Sequence, residues 1–313
     1  MKKGLFLAIL TLVVLITGCG KKEEKKTKIG ITQIIEHPAL DASKDGFLQA
    51  LEDAGYDETK VDIEFQSAQG DFGTAQTIAN SYVQDKKDLI LAIATPSAQA
   101  AYNMTKEIPI LITAVTDPES AGLTGDNISG TSDMSPVKQQ MELVTKLLPN
   151  AKKVGIVYNT SEQNSEFLVK KATEECEKLS LEVITSGVTN VNEVSSALDV
   201  ILGKVDVLYV PTDNLMTAAI PLVLQKTNEA KVPVIGSIKD MVEQGAIATE
   251  TIDYYKLGYQ TGEMAVEILK GASIKDMPVE TLKDTQLIIN KRAAEEMGIS
   301  LDNIDGLDKA EIF

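Results

Sequence analysis

The sequence predicts an α/β protein of two similar lobes, each a parallel sheet flanked by helices, and three observations predict it. Short apolar, β-branched runs alternate with amphipathic stretches of helical period from Ile29 onward. The alternation is written twice: each strand of the first half recurs about 120 residues later, the mark of a duplicated βαβα unit. The strands are continuous apolar runs more than strict alternations, as expected of parallel strands covered on both faces.

The chain begins with a segment built to be removed. Lys2 and Lys3 precede an almost wholly apolar run over residues 5–16, which ends in Thr17, Gly18 and Cys19. A charged start, a short apolar stretch and a small-residue cut point describe a secretory signal peptide. With cysteine at the cut, the segment resembles the bacterial lipobox. Residues 1–18 are therefore expected to be cleaved and Cys19 to become the lipidated first residue. A membrane span needs about 20 apolar residues, so the run is short for a permanent anchor. One acyl chain anchors only marginally, so more than one is expected. The following stretch, GKKEEKKTK, holds no apolar residue and cannot bury enough surface to fold. Residues 19–27 read as a flexible tether.

In the first half, strands are expected at 29–34, 61–65, 89–94 and 110–115, with helices at 39–54, 73–84 and 97–105 between them. Residues 128–136 (ISGTSDMSP) read as the seam between halves, and Ser135-Pro136 suits the start of a helix at 137–148. The second half offers strands at 154–158, 181–185, 205–210 and 234–237, with helices at 162–179, 191–202 and 217–230. A strand at 246–251, a long helix at 254–270 closed by Gly271, a strand at 285–289 and a short helix at 292–297 follow. Such a tail implies that the chain crosses back. The expected lobes are 28–131 with 253–282, and 132–252 with 283–313.

Composition narrows the function. The chain has 30 basic and 46 acidic residues, a net charge of −16, and loss of Lys2 and Lys3 leaves 28 against 46, or −18. Nucleic-acid binders gain affinity from Lys and Arg on phosphates, so nucleic acid is not an expected partner. There is one histidine, His37, and no HExxH, CxxC or GxSxG, so neither a metal site nor a hydrolase triad is expected. With Cys19 lipidated, Cys176 has no disulfide partner and reads as a small core residue on a helix.

Two sheets side by side leave a cleft at the carboxyl ends of their strands, where open α/β folds bind ligands. The segments that follow the strands carry Glu36, His37, Gln69, Thr95, Ser97, Thr116 and Asp117 in the first half. In the second they carry Asn159, Asn164, Thr212, Asp213, Asn214, Ser237 and Asp253. Thr95-Pro96-Ser97 and Ser161 stand ahead of helices, whose free N–H groups suit a carboxylate. Asp213, Asp253 and Glu36 are acids able to take an ammonium group, so together the walls match an amino-acid zwitterion. Ser, Thr, Asp and Asn before a helix are also ordinary N-caps worth about 1 kcal/mol, and any one segment taken alone is better explained that way. The recurrence of such residues at seven or eight strand ends favours a site. His37 is a ligand contact or a turn residue held by Pro38. Gly70 and Gly73 do not form a dinucleotide-binding loop.

The segments ITQIIEHPALD, ATPSAQA, TAVTDPESAGL, SDMSPVKQQ, YVPTDN and IDYYKLGYQTGEMAVEILKG, in that order from Ile31 to Gly271, carry a resemblance. The chain resembles the ABC-transporter substrate-binding proteins of the aromatic amino-acid (tryptophan/tyrosine) type. That resemblance implies a type I periplasmic-binding-protein fold, closure on an amino acid and delivery to a permease with its paired ATPase. It implies an extracytoplasmic protein held to the membrane by its lipid, acting as a monomer, without cofactor or catalysis. Its site segments match Glu36-His37, Gln69, Thr95-Pro96-Ser97, Thr116-Asp117, Tyr158-Asn159, Asn164-Ser165, Thr212-Asp213-Asn214 and Asp253. Phe72 departs from the polar residue usual in the family, and either stacks on an aromatic ligand or packs. Two other readings stay open from sequence: an enzyme using Asp213, Asp253, Glu36 or His37 as acid and base, and a surface sensor of the same architecture.

Overall fold

The computed structural model describes residues 26–313 except residue 303. The signal peptide, Cys19 and most of the tether lie outside the described residues. Among the described residues no helix is long and apolar enough to cross a membrane.

The first lobe opens with β1 (Thr27–Gln33), α1 (Pro38–Asp53), β2 (Val61–Ser67), α2 (Phe72–Gln84), β3 (Leu89–Ile93), α3 (Thr95–Met104), β4 (Ile110–Thr113) and β5 (Ile128–Ser132). The chain then builds α4 (Val137–Leu147), β6 (Lys153–Asn159), α5 (Gln163–Lys178), β7 (Glu182–Val188), α6 (Val191–Ile201) and β8 (Val207–Tyr209). It continues through α7 (Asn214–Ala218), α8 (Ile220–Ala230), β9 (Val234–Ile235), α9 (Lys239–Gln244) and β10 (Ala248–Thr251). Last come α10 (Tyr254–Leu269), β11 (Glu280–Thr281), β12 (Gln286–Ile289), α11 (Lys291–Glu296) and β13 (Glu311–Ile312).

Two sheets result, a six-stranded one of order β11-β5-β4-β3-β1-β2 and a seven-stranded one of order β13-β12-β10-β9-β8-β6-β7. Pairing is parallel throughout except between β10 and β12, which run antiparallel. The chain passes between the sheets three times, after β5, after β10 and after β11. The apolar runs do what their composition demands: β3, with every residue buried, sits mid-sheet between β1 and β4 under helices on both faces.

Residues 128–132 correct the sequence reading, which took them as the start of a seam. They form β5, buried at all five positions. Their polarity hid the strand, and the structure shows how a polar strand is accommodated. Ser129 Oγ donates to Met277 O at 2.9 Å, Ser132 Oγ donates to Thr116 O at 2.7 Å, and Thr131 and Thr261 share a hydroxyl hydrogen bond of 2.7 Å. Gly130, at φ 145°, is required here because a Cβ would lie 2.0 Å from Ile112 O. The helix expected at 217–230 is two helices, broken at Ala219 with Pro221 in the first turn of the second. The short elements α9, β11 and β13 were not anticipated.

The closest helix pairing is α1 on α10, made through Gly46, Gly258 and Gly262. In the second lobe Cys176 is a buried core residue with its Sγ 3.4 Å from Met141 Sδ, and burial pushes its thiol up to about 12.

Candidate ligand-binding site

A cavity lies between the lobes at the carboxyl ends of both sheets. His37 follows β1, Ala114 and Thr116 follow β4, and Asp133 follows β5. From the other lobe, Asn164 follows β6, Thr212, Asp213 and Asn214 follow β8, and Ile238 follows β9; Tyr254, after β10, completes the wall. One cavity lined from seven strand ends of two sheets is where this architecture places a ligand. The cavity is small, about 10 Å³, too little for an amino acid as the lobes stand. The lobes are drawn together, and they must part for a ligand to enter.

The backbone at the carboxyl ends of the first-lobe strands is strained. Gln69 (φ 54°), Ala94 (φ 75°) and Ala114 (φ 54°) follow β2, β3 and β4 in the left-handed region, and of these Ala114 lines the cavity. Such positions cost about 1–3 kcal/mol each and cluster at functional sites.

At the junction of the lobes sits Asp133, 1% exposed, which accepts hydrogen bonds from Thr116 Oγ1 at 3.0 Å and Tyr254 OH at 2.8 Å. Burial raises its carboxyl above the usual range against these two hydrogen bonds. Beside it Ser135 and Thr212 share a hydroxyl hydrogen bond of 2.8 Å. Further side-chain contacts across the cleft join His37 Nε2 to Asn214 Oδ1 at 3.4 Å and Ser120 Oγ to Gln163 Oε1 at 3.3 Å.

Desolvation lowers the pKa of His37 to about 4, and its hydrogen bond with Asn214 offsets only part of that. The imidazole is neutral at physiological pH. An unfolded histidine titrates near 6.5, so between about 4 and 6.5 the unfolded chain binds more protons at this position and stability rises with pH. His37→Gln should remove that slope. On acidification from pH 7 to pH 5 the wild type is expected to lose more unfolding free energy than the variant, as measured by urea denaturation. An equal loss in both would refute a buried neutral imidazole.

Buried acids and amides form a second cluster. Glu162, 6% exposed, accepts from Asn159 Nδ2 at 3.0 Å, Asn164 Nδ2 at 3.3 Å, the side-chain amide of Asn214, and the backbone N–H groups of Asn214 and Leu215, each at 3.3 Å. Asp213, 1% exposed, caps α7 through Met216 N at 2.8 Å and takes Asn159 N at 2.6 Å. Burial and, after it, the nearby Glu162 push its carboxyl well above the usual carboxylate range.

Of the residues expected from sequence, His37, Thr116, Asn164, Thr212, Asp213 and Asn214 line the cavity. Thr95 and Ser97 are not among the lining residues; they are buried in the first turn of α3, a helix that meets α5 of the other lobe. Ser237 is buried with its Oγ 3.9 Å from Met241 Sδ, and Asn159 is buried behind the wall, holding Glu162 and Asp213. Tyr158 is half-buried at the end of β6 with its pKa raised by burial and by Glu166. Others are not gathered in. Glu36 and Gln69 are exposed and paired with each other at 3.2 Å, Asp117 caps Ser120 N at 2.7 Å, and Asp253 caps α10 through Lys256 N at 3.1 Å. Phe72 is 41% exposed at the start of α2.

Sequence reasoning passed over Asp133 and Ala114. Asp133 follows the strand read as a seam, and recognising β5 would have found it. Glu162, Ile238 and Tyr254 stand in the segments that follow strands and so are within reach of the sequence, but nothing in it singles them out from their neighbours.

Two cavity-lining residues, one from each lobe, carry a buried polar atom with no partner among the described residues, His37 Nδ1 and Asn164 Oδ1, and at the start of α3 Thr95 Oγ1 and Ser97 Oγ are buried without one as well. Buried groups are normally satisfied, so orphans contributed from both lobes around one cavity point to a polar ligand. The profile of the family described as ABC transporter substrate binding protein matches residues 28–305. The chain belongs to that family. This substrate-binding protein is 48% identical to a tyrosine-binding protein of Clostridioides difficile, over 93% of this chain and 91% of the relative. A Streptococcus pneumoniae ABC domain solved with L-Trp superposes with TM-score 0.89 at 36% identity, covering 92% of this chain and 100% of that one. The ligand-free, open form of a Clostridium difficile substrate-binding protein with adhesive properties superposes with TM-score 0.69 at 48% identity, covering 92% and 99%. This substrate-binding protein thus superposes better on the L-Trp complex than on the ligand-free, open form, despite the lower identity of the former. More distant solute receptors of the type I periplasmic-binding fold, at 14% identity and TM-score 0.64, share the fold alone.

Proposed function

We propose that this substrate-binding protein captures an aromatic amino acid (tyrosine, tryptophan or phenylalanine) between its lobes and hands it to a membrane permease driven by an ATPase. The bodies that close are residues 28–131 with 253–282, and 132–252 with 283–313. Cleavage before Cys19 and lipidation of its thiol would hold the protein at the outer face of the cell membrane, with residues 19–27 as tether. Substrate-binding proteins of ABC transporters work outside the cytoplasm, and the chemistry is binding without turnover.

The observation that carries this reading is the set of orphaned buried polar atoms supplied by both lobes. Thr95 Oγ1 and Ser97 Oγ, in the first turn of a helix of 10 residues, offer hydroxyl donors alongside free backbone N–H groups. That combination suits a carboxylate. His37 Nδ1 and Asn164 Oδ1 are acceptors that suit an ammonium group. A ligand satisfying both walls stabilises the closed arrangement because only there does it meet all of them.

Thermal unfolding of residues 28–313 against the twenty amino acids, sugars, purines and short peptides tests the proposal. At a hundredfold excess over its dissociation constant a ligand of the folded form adds about 2.7 kcal/mol of stability. A rise with tyrosine, tryptophan or phenylalanine alone is expected. A flat response to all amino acids would overturn the ligand assignment.

A further inference from the structure

Glu162 is not among the cavity-lining residues, yet five nitrogen donors converge on it. Two of them decide how the cavity wall is written. The side-chain NH₂ groups of Asn164 and Asn214 both donate to Glu162 Oε2. An amide that gives its NH₂ to a carboxylate turns its carbonyl oxygen the other way, and the flipped amide would set oxygen against oxygen. Asn214 Oδ1 accordingly faces His37 Nε2 at 3.4 Å, and Asn164 Oδ1, on a cavity-lining residue, is buried without a partner. Because Asn214 Oδ1 can only accept, His37 must carry its proton on Nε2. Its Nδ1 is then a lone-pair acceptor, and it too is buried without a partner.

Resting on the amino-acid-binding reading above, we infer that Glu162 is a positioning residue for recognition of the ligand's ammonium group. By taking the NH₂ of Asn214, and that of Asn164 together with Thr212 O at 3.1 Å, it presents Asn164 Oδ1 and, through Asn214, His37 Nδ1 as acceptors, one from each lobe. A wall of acceptors fits a group that has only hydrogens to give, and rejects an amino-acid analogue lacking it. Glu162→Gln keeps the shape of the side chain but brings an NH₂ of its own, so the amides can no longer all turn their nitrogens toward it.

The experiment has two arms. First, the single histidine of the chain is labelled with ¹⁵N in the ligand-free wild type, and two-bond ¹H–¹⁵N correlation reports its tautomer. The Nε2–H form is expected, with the Nδ1–H form gaining population in Glu162→Gln. Second, calorimetry compares L-tyrosine with its deaminated analogue, 3-(4-hydroxyphenyl)propionate. Glu162→Gln is expected to weaken tyrosine by about tenfold to hundredfold, the range of one hydrogen bond to a charged group, while the affinity for the analogue stays nearly unchanged. Equal weakening of both ligands, or an Nδ1–H tautomer in the wild type, would overturn the inference. Failure of the wild type to bind any amino acid would instead overturn the ligand reading. The tautomer arm needs neither ligand nor variant, so it still decides the orientation if Glu162→Gln does not fold.

Discussion

Gly258→Ala is expected to be among the most damaging single methyl groups that can be added to this protein, lowering the unfolding free energy by about 2 kcal/mol or more. A Cβ at residue 258 would lie 1.8 Å from Ser43 O, 2.5 Å from Ser43 C and 2.6 Å from Ser43 Cα. All three are backbone atoms of α1, so no side chain can swing aside. The facing residue, Gly46, is closed from the other side, its Cβ position 2.1 Å from Tyr255 O. The two helices would have to separate by more than an ångström along a seam that also holds the Ser43 Oγ to Tyr254 O hydrogen bond of 3.1 Å. Alanine improves helix propensity by about 1 kcal/mol, and overpacking a close-packed seam costs about 1–3 kcal/mol or more, so the clash wins. Because α10 begins at Tyr254, the shift would also disturb the hydrogen bond to Asp133 at the lobe junction. Urea denaturation decides it, with Gly203→Ala as the control: no atom lies within 4 Å of that Cβ position, and little change is expected there. Equal stability of Gly258→Ala and wild type would mean that the α1–α10 seam is looser than described.

Removing the hydroxyls of Thr95 and Ser97 together is expected to act in opposite senses on folding and on binding. Both oxygens are buried without a partner, at residues 2% and 0% exposed. A buried polar group without a hydrogen bond costs stability, so Thr95→Val with Ser97→Ala should leave the ligand-free protein as stable as the wild type or more so. If the two hydroxyls donate to the ligand's carboxylate, each is worth about 1.5–3 kcal/mol to the complex. The double variant should then bind its amino acid at least a hundredfold more weakly. Thermal unfolding with and without tyrosine reads both effects. A variant that binds normally would show these hydroxyls to be helix-start residues with no part in recognition, the N-cap explanation that the sequence left standing.

Much of the fold was legible in the sequence because it is written in periodicity. Each long helix lies within two residues of its expected place at both ends, apart from the one that Ala219 and Pro221 divide. What escaped was β5, whose Ser, Gly and Thr are turn-formers by composition. They become a buried strand only because Met277, Thr261 and Thr116 stand ready to satisfy their hydroxyls. Those partners come from distant stretches of chain, and no local pattern announces them. The loss carried forward, since Asp133, at the heart of the lobe junction, is the residue that follows β5.

The site divides along the same line. That strand ends on one side of two sheets would hold the ligand followed from the alternation of strands and helices, and the segments around His37, Thr116, Asn164 and Thr212–Asn214 were found that way. Which of their polar atoms face a ligand did not follow. Asp213 and Asp253 looked alike as acids after a strand, but Asp213 is buried at the cavity, spent on Asn159 and Met216 N–H groups, while Asp253 caps an exposed helix end. Sequence determined the topology and the family, because hydrophobic period and motif order are local. Only the tertiary structure decided which polar atoms are buried and left unpaired, because burial and pairing are made by residues that meet from opposite lobes.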